Sequence, residues 1–525
     1  MKKPLAKILT FILIITLIFL FTSQQNTNNN VNGFFADAGS FEILSSYQGK
    51  GNVLKVDGAK TNWFVARYSL SQYKGKLITI EITADVSREG AAGDIHWQVN
   101  NAPSYPTLAN INNAASDVWH TVKGRLVITP TDNDPYIYLT TYANNSRNTV
   151  YYIANPNVTI TEGDGLNPDF SLTPLKSVYA NDFLIGNIID GTYMAGKYFD
   201  LLKHHFNIVT STTTFPIQLA PLSKGGNYQF TYADNMLDLM GRNNIPVHGH
   251  VLVWHEVTPD WMFEGTREEV IQNMNNYIAA VLGHFKGRIN SWDVVNEAIK
   301  KENISNAEAR GDWRNCLTPR VNYWAENHWY NKLGADYIEL AFRAARAADP
   351  NITLYYNDDG LENPNKAEVV RKMIQDINDR YKRETRGTRN LIEGVGSQAH
   401  IYDLNLNINN VRTSLEKLIS LGIEISISEL DISAAGFNRG YGKDSVMSER
   451  DETAQAVLYA RLMNLYRENS AHIKRITFWG IDDGTSWLSA GNPALFNRNL
   501  NAKQAFHALS NPDSFLRQYS GRTRR

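Results

Sequence analysis

Residues 289–298 read INSWDVVNEA, an apolar run that gives way to an amide and then a carboxylate. A strand covered on both faces reads as a near-continuous apolar stretch, so Glu297 stands where such a strand surfaces. Seven further stretches share this grammar: LIGNI (184–188), FNIVT (206–210), VHGHVLVW (247–254), ITLYYN (352–357), VGSQA (395–399), IEISIS (423–428) and RITFWG (475–480). Helical patterns separate them. In YIELAFRAARAADP (337–350), Ile338, Ala341, Phe342 and Ala345 recur at helical spacing, and Pro350 follows the end. Eight strands, each followed by a helix, predict an α/β fold, a (β/α)8 TIM barrel over residues 175–525.

Upstream the pattern changes. Over residues 39–163, short alternating segments such as KLITIEITADV, DIHWQVN, TVKGRLVITP and PYIYLTTYA are separated by Gly, Asn and Asp, which predicts an all-β jelly-roll sandwich. Residues 164–174, within EGDGLNPDFSLTP, read as a linker. Residues 1–38 hold Lys2, Lys3 and Lys7, the apolar run Ile8 to Phe21, and an Asn-rich stretch. That is the pattern of a signal peptide or membrane anchor with a polar tether. Ala36-Asp37-Ala38 resembles a cleavage site but lies far from the apolar run, so release and anchoring both stay open. The expected location is secreted or extracellular and membrane-anchored.

The bulk composition narrows the function classes. A formal net charge of -1 over 525 residues speaks against nucleic acid as the main partner, which needs concentrated Lys and Arg. An aromatic content of 11% supplies many rings for flat ligands. The single cysteine, Cys316, rules out an intramolecular disulfide.

Polar residues gather at the C-terminal ends of the strands. Alternation puts His248, His250, Leu252 and Trp254 on one face, with His255 just beyond. Gln398 and His400 share a face, as do Glu429 and Asp431, and Trp479 ends the last strand. Barrel enzymes build their active sites at this rim. One such Glu is better explained by a helix cap or an Arg partner. Two of them, Glu297 and Glu429, flanked by amide, imidazole and indole groups, are the equipment for glycoside hydrolysis, one donating a proton and the other acting as nucleophile or base. A zinc reading of His248, His250 and His255 finds no carboxylate or Cys cluster of suitable spacing, so neither metal nor cofactor is expected.

At these residues the sequence resembles the family 10 glycoside hydrolases, mainly endo-β-1,4-xylanases on a (β/α)8 barrel. WDVVNEA is similar to that family's acid/base motif and ISISELDI to its nucleophile motif, while GHVLVWH, LYYNDD, GVGSQAHIYD and ITFWGIDDGTSWL match in order. The resemblance implies Glu297 as acid/base and Glu429 as nucleophile, supported by His400 and Asp431. It implies His250, Trp254, His255, Asn296, Tyr356, Gln398, His400, Trp479 and Trp487 as the lining of the reacting sugar's subsite. A retaining displacement follows, with Asn296 on the sugar 2-hydroxyl and a polysaccharide such as xylan as partner of a monomer. A carbohydrate-binding protein on an inactivated barrel is the rival, against which both Glu residues are kept.

The departures from the family pattern lie to one side. Where it usually reads Glu-Asn-Glu-Met-Lys, HFNIVTSTTTFP places Thr212, Thr213 and Thr214, then Phe215 and Pro216. Val257 replaces an expected Gln, and His248 an expected Arg. The groups that hold non-reducing-side sugars are therefore missing, and the short Thr side chains are expected to make room for a substituted or different glycan. The long segment after Glu297 holds Trp313, Tyr323, Trp324 and Trp329, either leaving-group-side subsites or local core. The front sandwich weakly resembles carbohydrate-binding modules, with Trp63, Trp97, Tyr105, Tyr136 and Tyr138 as unassigned aromatic residues.

Overall fold

Period-two burial is plainest in GDIHWQVN, where Ile95, Trp97 and Val99 are fully buried and their neighbours partly exposed. In the computed structural model, which describes residues 30–36, 40–60, 64–101, 105–140, 149–299, 304–317, 327–437 and 447–522, this stretch is one strand of a two-sheet sandwich. The apolar run Ile8 to Phe21, Trp63, Tyr323 and Trp324 lie outside the described residues.

The sandwich strands are β1 (Phe41–Tyr47), β2 (Lys50–Asp57), β3 (Phe64–Ser69), β4 (Ile78–Arg88), β5 (Gly93–Asn100), β6 (Thr107–Ala114), β7 (His120–Ile128), β8 (Tyr136–Thr140) and β9 (Val150–Glu162). They form one sheet in the order β1-β2-β9-β4-β7 and another in the order β3-β8-β5-β6, all antiparallel. The chain crosses repeatedly between the sheets, as alternating apolar faces on successive strands require. Trp97 is a core residue, packed edge-on to Phe34 at 5.2 Å. Tyr136 and Tyr138 pack on each other away from that core, and Tyr105 is exposed.

The chain divides into two compact units between Gly165 and Leu166, and Leu166 is buried in the core of the second. That unit is a closed parallel barrel of β10 (Leu184–Ile189), β11 (Ile208–Ser211), β12 (Val247–Val253), β13 (Ser291–Asn296), β14 (Thr353–Asp358), β15 (Gly394–Ser397), β17 (Glu424–Ile432) and β18 (Ile473–Phe478). The pairing of β15 with β17 and of β18 with β10 closes the ring, and a two-residue strand, β16 (His400–Ile401), pairs with the end of β17. The predicted TIM barrel is therefore present, each of the eight expected stretches contributing one barrel strand. A helix follows each barrel strand, from Gly196–His205 to Gln504–Ser510. The helix Arg267–His284 starts at a Thr266–Glu269 capping box, which satisfies two otherwise orphan N–H groups. In Asp336–Ala348, Ile338, Ala341, Phe342 and Ala345 are fully buried, as their spacing predicts.

Trp313 and Trp329 are core residues, at 4% and 1% exposure, which decides for local packing over a subsite role at those two positions. At Gly249 an added Cβ would lie 2.2 Å from the ring of Trp292, its fully buried neighbour on β13. Gly249→Ala is expected to destabilise the barrel by about 1–3 kcal/mol, the usual cost of overpacking, read as a lower urea midpoint with an unchanged m-value.

Candidate active site

Glu297 and Glu429 leave β13 and β17 at the C-terminal rim, both buried, at 6% and 4% exposure. Glu297 has a φ of +54°, a left-handed conformation that non-glycine residues rarely adopt, held by its N–H donating to the Asn357 carbonyl at 2.9 Å. Its Oε1 accepts from Gln398 Nε2 at 3.0 Å. Gln398 also donates to Asn296 Oδ1 at 3.2 Å, and Asn357 Nδ2 donates to that same oxygen at 2.9 Å. Asn357 Nδ2 then donates to Glu429 Oε1 at 2.7 Å. Three carboxamides thus connect the two carboxylates, each of which lies two hydrogen bonds from one atom, Asn296 Oδ1. Because that oxygen faces two donors, Asn296 keeps its Nδ2 hydrogens for a ligand.

On its other side Glu429 meets His400, with Nε2 3.1 Å from Oε2, while His400 Nδ1 lies 2.9 Å from Asp431 Oδ1. Trp487 donates its indole N–H to Asp431 Oδ2 at 2.8 Å. Burial alone would lower the His400 pKa, but Asp431 and then Glu429 outweigh it and push it up to about 10. At neutral pH His400 is an imidazolium that donates to both carboxylates. His250 is held in the same manner by Asp293 Oδ2 at 2.8 Å, and the pull of Asp293, Glu429 and Glu297 overcomes burial to raise its pKa. Its ring stands edge-on to Trp479 at 5.6 Å and lies 6.3 Å from Trp254. Trp479, Trp487 and Trp254 are partly exposed, so these rings form the walls.

His255 is buried beside the acid/base candidate. One ligand atom each from His255, Glu256 and Glu297 lie within 4.8 Å of one another, the group among the described residues with the composition to hold a divalent cation. Spacing along the sequence does not show this group, because Glu297 arrives from another strand to join His255 and the adjacent Glu256. The placement of Tyr356 also needs correction. It is fully buried, and its hydroxyl donates to Asp358 and accepts from the Ala298 N–H. Alternation explains this: Tyr355 and Asn357 face the barrel interior, and Tyr356 faces the helices. Asn357 is the residue the sequence reading missed, although the same alternation in LYYND would have pointed inward to it. Beneath it, Lys366 at 2% exposure pairs with Asp358 at 2.9 Å and Asp359 at 2.7 Å, and their charges raise its pKa against the effect of burial.

Residues 174–512 match the model of glycosyl hydrolase family 10. The chain belongs to this family. It is 30% identical over 444 residues to Exoglucanase XynX of Acetivibrio thermocellus, covering 79% of this chain and 37% of that protein. To Endo-1,4-beta-xylanase A of Thermoanaerobacterium saccharolyticum it is 31% identical over 443 residues, covering 81% and 34%. Among solved structures, a bacterial Ig-like domain containing GH10 xylanase from termite gut superposes with a TM-score of 0.60 and 33% identity, over 69% of this chain and 85% of that one. The chain spans about a third of the length of these two curated relatives. Within the family-10 barrel, the rim carboxylates and their amide network occupy the face where (β/α)8 enzymes work.

The raised pKa of His400 carries a pH dependence. Since its folded value, about 10, exceeds the ordinary 6.5, its contribution to stability is full below pH 6.5 and is lost as pH rises through 10. Urea midpoints measured across that window are expected to fall for the wild type, and His400→Gln is expected to lack that part of the fall.

Proposed function

We propose that this chain is a retaining, endo-acting β-glycoside hydrolase of plant cell-wall β-1,4-xylan, with remade subsites on the non-reducing side. The observation that carries this reading is the shared amide network, which holds two buried carboxylates from separate strands in one frame. Two similar proteins named as xylanases lend the substrate class. The His400 imidazolium and Asn357 would hold Glu429 aimed at the anomeric carbon, while Glu297 protonates the leaving oxygen. Once the glycosyl ester forms, Glu297 accepts the proton of the attacking water. The Asn296 Nδ2 hydrogens suit the sugar 2-hydroxyl, a contact that strengthens in an oxocarbenium-like transition state. Indole faces of Trp479 and Trp487 suit the apolar faces of a pyranose.

A polymer substrate and the apolar run Ile8 to Phe21 support action outside the cell, released or anchored. The strand rhythm of the sandwich supports a glycan-binding role for it.

Proton NMR of early products tests the stereochemistry: the β-anomer is expected first, and the α-anomer would overturn retention. Glu429→Gly is expected to lower kcat on the order of 10^4-fold. Azide should restore turnover in that variant as an α-glycosyl azide, and in Glu297→Ala, with an activated aryl leaving group, as a β-glycosyl azide. Equal hydrolysis by wild type and Glu429→Gly would favour the non-catalytic binder.

A further inference from the structure

The segment after β11 decides what the sugar beside the reacting one meets. Thr213 and Thr214 are buried, at 3% and 0% exposure. Thr214 donates its hydroxyl to the His250 carbonyl at 2.7 Å and Thr212 to the Ile189 carbonyl at 3.1 Å, while Thr213 pairs with Ser211 at 3.0 Å. The hydroxyl hydrogens of Thr212 and Thr214 are therefore used by the backbone and not offered to a ligand.

What the segment presents instead is Phe215. Its ring, partly exposed, lies edge-on to His250 with centroids 5.6 Å apart, and 6.1 Å from Trp254. The His250 ring leads through Trp479 to His400 and so to Glu429. Next along the chain, Ile217 is 58% exposed and its N–H donates to the carbonyl of Val257, the residue standing where the family pattern expects Gln. Phe215 and Trp254 thus form an apolar border at the side where the family pattern holds non-reducing-side sugars, with Ile217 exposed just beyond in the chain.

A free sugar hydroxyl brought against such a border loses its water partners and gains none, at a cost comparable to a broken hydrogen bond. An acetyl ester at the same position has no hydrogen to leave unpaired and brings a methyl group that gains from burial. We propose that this border selects O-acetylated xylan, with the ester on the sugar next to the reacting one on its non-reducing side, and that Phe215 is the residue that reads it. This rests on the xylan hydrolase reading and names the decoration that reading leaves open.

The test compares acetylated xylo-oligosaccharides with the same oligosaccharides after mild alkaline removal of the acetyl groups. Wild-type kcat/KM is expected to be about four- to fifteenfold higher on the acetylated form, the range for burying one to two methyl-sized groups. Mass spectrometry should place the retained acetyl on the sugar next to the new reducing end. Phe215→Ser, and separately Phe215→Ala, should bring the ratio close to one. Equal or slower cleavage of the acetylated form, or a preference surviving both substitutions, would overturn the proposal while leaving the hydrolase reading in place. If the wild type, shown folded by a cooperative melt, cleaves neither form, both readings fall.

Discussion

The carboxamide of Asn357 is the constraint on which the rim of the barrel depends. Its nitrogen donates to Asn296 and Glu429, and its oxygen accepts from Ser428 at 2.6 Å. At Gly396 an added Cβ would lie 2.1 Å from that oxygen, so the bare backbone of β15 lets the amide sit where it does. One side chain on β14 thereby ties together β13, β15 and β17. Strands hydrogen-bonded into a closed ring cannot shift singly, and the two carboxylates inherit that rigidity. Preorganisation of this sort lets fixed dipoles act on developing charge without reorganising during the reaction.

Below the rim, buried acidic and basic side chains alternate. Asp293 stands between His248 and His250, and the two imidazoles diverge although they share one carboxylate. Burial and then the nearby Arg475 charge push His248 down to about 4, so it is neutral, whereas His250 has two further carboxylates in its field and is raised. The same alternation recurs in Glu429, His400 and Asp431, and in Asp358, Lys366 and Asp359. Removing one member of such a set leaves a buried charge unpaired, which costs more than the intact pair contributes.

The barrel was legible because its strands are apolar, short and separated by helical periodicity, and because carboxylates at strand ends are improbable unless something uses them. Glu297, Glu429, Gln398 and His400 could be picked out on that ground. Tyr356 could not be placed correctly by motif alone, since it and Asn357 are adjacent and only their alternating directions separate burial under the cleft from a position within it. The bonding partners of the Thr run are hidden from the sequence for a related reason. Residue size suggested open space, but whether a hydroxyl faces solvent or backbone depends on a neighbouring strand, here the His250 carbonyl, about 36 residues away. The His255, Glu256 and Glu297 group was hidden by chain separation in the same way.

The inward-turned threonines have an evolutionary consequence. They attach the cleft's border to the barrel through backbone carbonyls, and Phe215 and Ile217 take no part in the side-chain bonds that fix the reacting pair. Changes at these two outer positions can therefore accumulate without disturbing the side-chain bonds beneath them.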